Sequence, residues 1–220
     1  MNEETELSEG ERILPALAAD GLRRPGLEPA TFRINAGACV ALSGPSGAGK
    51  SLLLRAIADL DPCEGEVWLG SVSRRAMAAP AWRRQVMYVP AESGWWADEV
   101  GAHFADRDAA AGLLDGVGLP KDALVWPVAR LSTGERQRLA LVRAVAMDPK
   151  VLLLDEPTSG VDPETTTRIE RLLRRALDRS TAILMVTHDP GQASRLADRQ
   201  MTISQGRLSI EPDEAGSARL

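Results

Sequence analysis

The segment Gly44-Pro45-Ser46-Gly47-Ala48-Gly49-Lys50-Ser51 fills the pattern G-x-x-x-x-G-K-[ST] at every fixed position. The chemistry it offers is the grip of a nucleoside triphosphate. Glycines let backbone N–H groups come up to phosphate oxygens without a Cβ in the way. Lys50 is placed to reach the β- and γ-phosphates, and the Ser51 hydroxyl to ligate Mg²⁺. A second group of candidates lies far downstream, where the apolar run Val151–Leu154 ends in Asp155-Glu156. Asp155 is expected to hold the Mg²⁺ shell, and Glu156 to act as general base on the water that attacks the γ-phosphate. A glycine turn before an ordinary helix explains the first segment alone, and a strand end solvated by two acids explains the second alone. Neither explains the pair.

The flanking elements suit this chemistry. The apolar run Ala38–Leu42 precedes the loop and the helix-like run Leu52–Ile57 comes after it, so a nest of N–H groups forms at the positive end of a helix dipole. Residues 31–43 read as strand, turn at Asn35-Ala36-Gly37, and strand; Gly65–Gly70 reads as a turn-bounded strand, and Val86–Val89 as a strand stopped by Pro90. Residues 92–130 are rich in Ala, Gly and Asp, with helical spacing at Val100–Phe104 and Ala110–Leu114, and form the candidate small helical lobe. Ser132-x-x-Glu135 is a capping box opening a helix that stops at Asp148-Pro149. Val151–Leu154 and Ala182–Val186 are continuous apolar strands of the kind found in buried parallel sheets. Asp162-Pro163 starts a helix to about Arg179 whose apolar face is Ile169, Leu172, Leu173, Ala176 and Leu177, and Asp189-Pro190 caps another. Met201–Ser204 and Arg207–Ile210 are the final strands, turning at Gln205-Gly206. The fold class expected is α/β, with a mainly parallel sheet covered on both faces.

Composition bounds the partners. The 220 residues suffice for one α/β domain with a small appended lobe, and 44% hydrophobic with 26% charged residues fits a soluble globular protein. A net charge of −5 gives no support for nucleic acid as the partner, and none is expected. Cys39 and Cys63 make no disulfide framework; Cys39, in a predicted strand, is a small core hydrophobe, and a reducing cytoplasmic setting fits. Residues 1–11 are acidic and polar, unlike a signal peptide, and are expected to be mobile. The longest apolar runs are far too short to cross a bilayer, so any membrane role passes through a partner.

With Leu131-Ser132-Thr133-Gly134-Glu135-Arg136-Gln137-Arg138, Ser159-Gly160-Val161-Asp162 and Thr187-His188-Asp189 added in this order, the chain resembles the nucleotide-binding subunit of bacterial ATP-binding cassette (ABC) transporters over about residues 12–210. The resemblance implies a P-loop ABC ATPase core with an antiparallel β subdomain and a small helical lobe, all one domain over residues 1–220. It implies that Ser132, Thr133, Gly134 and Glu135 are the signature, whose capped helix tip completes the γ-phosphate site of a facing subunit. A head-to-tail homodimer then buries ATP·Mg²⁺ at its interface, with His188 as the γ-phosphate sensor beside Glu156, and hydrolysis loosens the clamp. It further implies an integral membrane permease as partner and a peripheral place on the inner face of the cell membrane. Close motif spacing is loosely like small bacterial subunits, metal-export systems among them. Soluble DNA- or ribosome-directed relatives fit less well, because Lys50 and Leu131 are separated by a stretch without heptads or a cysteine cluster. A regulatory cassette with weak hydrolysis is the alternative.

Several positions depart from the family or stay open. Ala91 stands where a glutamine is expected after Val86–Val89, so either Glu92 substitutes with a one-residue shift or water fills the gap and slows turnover. Thr133 stands where glycine is usual, and a β-branched residue tolerates fewer backbone angles. No aromatic in Asp20–Arg24 is available to stack on adenine; Leu22, or an arginine by cation–π contact, would replace it. Trp95-Trp96 is either an anchor for the permease or core filler, and His103 is a residue of the lobe.

Overall fold

The computed structural model describes residues 14–210, so the expected mobility of residues 1–11 falls outside the described part. Two sheets meet across one core. The first is antiparallel, in the order β2-β1-β4-β5, built from β1 (Leu17–Arg24), β2 (Leu27–Ile34), β4 (Glu64–Leu69) and β5 (Val72–Ser73). The second runs β10-β9-β3-β8-β7-β6 and comprises β3 (Cys39–Ser43), β6 (Val86–Val89), β7 (Val151–Asp155), β8 (Ala182–Val186), β9 (Arg199–Ser204) and β10 (Arg207–Ile210). All its pairings are parallel except β9 with β10.

Period-two alternation explains why β7 and β8 are apolar throughout. Leu152, Leu154, Ile183 and Met185 pack on one face against α4 (Thr133–Ala146), α5 (Pro163–Asp178) and the lobe. Val151, Leu153, Leu184 and Val186 pack on the other face with α1 (Lys50–Ile57), Trp82 of α2 (Ala79–Gln85) and the antiparallel sheet. A last helix, α6 (Pro190–Leu196), starts at the Asp189 cap.

The lobe is less helical than its spacing suggests. Over residues 92–130 it holds one α-helix, α3 (Arg107–Leu114), and Val100–His103 is a short 3₁₀ turn, one of four such turns in this stretch. Gly116, Gly118, Pro120 and Pro127 break any longer run. Strand β1, like β5 and α2, is not announced by the sequence pattern. Gly21 has a φ of +57°, and the pairing of β1 with β2 slips between Ala19 and Leu22. That bulge destroys the alternation by which a strand is recognised.

Cys39 is 1% exposed, its N–H donates to Asp198 Oδ2 at 2.8 Å, and burial, together with the smaller effect of the negative charge of Asp198, pushes its thiol up to about 12. The thiol therefore stays protonated and unreactive. A Cys63→Ser variant, whose one remaining cysteine is Cys39, is expected to give no Ellman reaction at mildly alkaline pH until denaturant is added; a fast reaction in the folded protein would contradict the burial.

Candidate functional site

Strands β3, β8 and β7 are parallel neighbours, and Leu42 and Asp155 both register with Val186. Their carboxyl ends are therefore level, and three segments leave the sheet on one edge: the loop from Gly44, the pair Asp155-Glu156, and Thr187-His188. This edge is where open α/β sheets bind ligands. A cavity of about 320 Å³ lies there, lined by Ser46, Gly47 and Gly49 to Leu52, with Asp155, Glu156 and His188.

Two glycines are required by this loop. Gly44 has φ +141°, and a Cβ on it would stand 2.1 Å from the Ile203 carbonyl oxygen; Gly49 has φ +110° and closes on Gly26. No side chain caps α1, so the amides of its first turn are left for phosphate oxygens. Lys50 is buried and its Nζ donates to Gly44 O at 2.7 Å and Pro45 O at 2.9 Å, which holds the ammonium across the loop mouth.

Asp155 is 6% exposed and its Oδ2 accepts from Ser51 Oγ at 2.7 Å. A hydroxyl and a carboxylate in contact, beside a lysine-bearing phosphate cradle, are the hard oxygen ligands that suit Mg²⁺ bound together with phosphates. The residues fit the ion. When bound, Mg²⁺ supplies charge neutralisation for the β- and γ-phosphates.

Glu156 has a left-handed backbone, φ +52°, unusual for a residue with a side chain. Three hydrogen bonds fix it: Glu156 N–H to Val186 O at 3.1 Å, Ser159 N–H to Glu156 O at 3.1 Å, and Gln137 Nε2 to Glu156 O at 3.2 Å. His188 Nε2 lies 3.0 Å from Glu156 Oε1. Nothing in the residue pattern gives Gln137 a task at this site; only the fold shows that α4 reaches this backbone.

The signature is elsewhere. None of Ser132, Thr133, Gly134 or Glu135 lines the cavity. Ser132 caps α4 in a complete capping box: its Oγ accepts from Glu135 N–H at 3.3 Å, and its own N–H donates to Glu135 Oε2 at 2.8 Å. Thr133 is the first residue of α4, in helical backbone. Ala91 and Glu92 are both exposed and neither lines the cavity.

The adenine candidates are otherwise engaged. Leu22 is 0% exposed, which corrects the expectation that it packs on the base. Arg23 is paired with Glu64, and Arg24 with Asp61, which Arg55 also holds at 2.7 Å. The two tryptophans divide: Trp95 packs against the core, while Trp96 is 71% exposed. Arg143 stands 5.0 Å from the centre of each ring. His103 is buried and organises this loop, its Nε2 accepting the N–H of Trp96 at 2.9 Å and of Ala97 at 3.0 Å. The ring proton therefore sits on Nδ1, beside the carbonyls of Glu99 and Val100.

A glycine cradle with its lysine, a strand-end aspartate touching the loop serine, and a glutamate–histidine pair define a nucleoside triphosphatase of the P-loop class. The family described as "ABC transporter" matches residues 27–159, and the chain belongs to that family as an ATP-binding subunit with ATPase activity. It is 37% identical over 210 residues to an aliphatic sulfonates import ATP-binding protein of Yersinia pestis bv. Antiqua, covering 90% of this chain and 76% of that one. It is 38% identical to a sulfate/thiosulfate import ATP-binding protein of Mesorhizobium japonicum, covering 84% and 58%. A solved ATP-binding subunit of an ABC transporter shares the fold, with a TM-score of 0.81 and 23% identity over 90% of this chain and 91% of that one. A bacterial Atm1-family ABC exporter with ATP bound aligns with a TM-score of 0.78 and 25% identity, over 89% of this chain and 38% of that chain. The Yersinia and Mesorhizobium relatives carry import names. Among the described residues no helix is long and apolar enough to cross a membrane.

The capping box yields a pH-dependent prediction. The hydrogen bonds from Ser132 hold the Glu135 carboxyl below its ordinary value. A depressed carboxyl stabilises the fold above the ordinary glutamate range and loses that contribution as pH falls through the lower folded value. Ser132→Ala is expected to cost about 1 kcal/mol at neutral pH in urea unfolding, and Glu135→Gln to destabilise by an amount that shrinks toward acid pH. A Glu135→Gln deficit that grew on acidification would reverse the sign and refute the account.

Proposed function

We propose that two copies of this chain close head to tail around two ATP·Mg²⁺, so that each signature tip completes the other copy's site. The supporting observation is that Ser132–Glu135 stand outside the cavity that Lys50, Ser51, Asp155, Glu156 and His188 share. Neither half holds a γ-phosphate from all sides. A second cavity of about 810 Å³ runs from Glu156 and His188 past Ser159, Val161 and Asp189, giving a facing molecule a surface continuous with the site. In this reading Gly44, Pro45, Ser46, Gly47, Ala48, Gly49 and Lys50 cradle the phosphates, and Ser51 and Asp155 hold Mg²⁺. Glu156 is the general base, and His188 orients Glu156 and reads the γ-phosphate. Hydrolysis removes the bridging phosphate and releases the clamp.

The closed dimer drives a separate permease in the membrane, against which the chain docks from the inner side. The exposed Trp96 ring, braced by Arg143 and by the His103-held loop, is the anchor for that permease, while Trp95 serves the core. Likeness to import subunits favours uptake as the direction. Cargo is read by the permease.

Glu156→Gln is expected to lower ATP turnover by about 100-fold or more while prolonging an ATP-dependent dimer seen by size-exclusion chromatography with light scattering. Turnover equal to wild type would remove Glu156 from the chemistry, and an ATP-loaded monomer would remove the shared site. Trp96→Ala is expected to leave nucleotide affinity unchanged and to weaken co-purification with the permease by about 10-fold, the loss of an interface anchor. Undiminished co-purification would return Trp96 to the role of an ordinary surface residue.

A further inference from the structure

Tyr88 is the one polar side chain of β6 and stands in register with Leu153 of β7, two residues before Asp155. Its hydroxyl donates to Asp155 Oδ2 at 3.1 Å, the same oxygen that accepts from Ser51 Oγ. Asp155 is buried, so its carboxylate takes its direction from these donors rather than from water. Ser51 would be shared with the ion, an oxygen lone pair facing Mg²⁺ while its hydrogen still points to Asp155, whereas the Tyr88 hydroxyl would serve Asp155 alone. The Tyr88 hydroxyl faces a carboxylate oxygen, which accepts, so it acts toward Asp155 as a donor. After β6 the chain turns at Pro90, and Ala91 carries no side-chain oxygen toward the site. The link between β6 and the metal end of the cavity is thus made from within the strand.

We propose that Tyr88 is a positioning residue for the Mg²⁺ site, its hydroxyl, beside that of Ser51, holding the Asp155 carboxylate in the direction that would receive the ion. The inference rests on the reading of Ser51 and Asp155 as Mg²⁺ ligands. Outer partners of ligating carboxylates commonly govern metal affinity by about 10–100-fold.

The test is Tyr88→Phe, which keeps the ring and its packing and removes one hydroxyl. Affinity for a fluorescent ATP analogue in EDTA is expected to match wild type. Retention of Mn²⁺ by the ATP-loaded protein, monitored by electron paramagnetic resonance, is expected to weaken about 10-fold, with the Mg²⁺ concentration for half-maximal turnover rising by the same factor. Asp155→Asn is the companion variant. If Asp155→Asn retains Mn²⁺ like wild type, the metal-site reading itself fails. If Asp155→Asn loses the ion and Tyr88→Phe keeps wild-type affinity, the metal site stands and the role of Tyr88 is overturned. A Tyr88→Phe variant that binds nucleotide more weakly in EDTA to the same degree would assign Tyr88 to the loop and not to the metal, which also overturns the proposal.

Discussion

The parallel register of β3, β8 and β7 is the constraint on which the site depends. Three runs of apolar residues, scattered along more than a hundred positions of the chain, pair so that their carboxyl ends finish level. Each run is buried on both faces, so a slip of one residue would exchange its whole side-chain set between the two cores. The hydrophobic effect therefore sets the register, and the register sets where Gly44, Asp155 and His188 stand. No polar interaction in the cavity needs to be strong enough to assemble it. Once the strands pair, Ser51 is brought to Asp155 and Glu156 to His188 without further search.

The same architecture keeps Ser132–Glu135 away from the cavity of the phosphate-loop motif. Helix α4 packs by Leu139, Leu141, Val142 and Val145 and begins with Ser132 outside the cavity. Yet α4 is not isolated from the site, because Gln137, a little over one turn past the cap, donates to the Glu156 carbonyl. Under the proposed pairing, one rigid helix would touch the facing copy's nucleotide at its tip and its own copy's general base at its second turn. Gly134 stands 3.8 Å, measured from a Cβ built on it, from Val161, so the loop after Glu156 lies against this helix as well.

Much of this is legible in the sequence where local signals carry it. The run Ala182–Val186 coincides with β8, the Ser132 capping box opens α4, and Asp162-Pro163 opens α5, because apolar runs and caps depend on neighbours in the chain. The phosphate loop and Asp155-Glu156 are readable for the same reason. The features that escape a reading of the sequence depend on distant pairings. The bulge at Gly21 hides β1, and the glycines and prolines of the lobe turn expected helix into short 3₁₀ turns. The contacts of Tyr88 with Asp155 and Gln137 with Glu156 span strands and helices that only the register brings together. His103 looks featureless in the sequence because its Nε2 partners are backbone amides, which leave no mark on residue type.

A weakly hydrolysing regulatory cassette is suggested by Ala91, and the backbone of Glu156 speaks against it. A residue with a side chain in the left-handed region costs about 1–2 kcal/mol relative to a right-handed one, and glycine would relieve the cost. The strain is sustained by a dedicated set of bonds, including one from the buried amide of Gln137. A protein that only needed to bind ATP would require Lys50, Ser51 and the loop, none of which depends on the conformation of Glu156. A carboxylate held in a costly conformation, 3.0 Å from a histidine and lining the same cavity as the phosphate loop, suits the proposed role of general base, in which its direction matters. Under the proposed reading, the missing glutamine oxygen at position 91 alters the link between β6 and the Mg²⁺ ligands and leaves in place Glu156, the proposed general base.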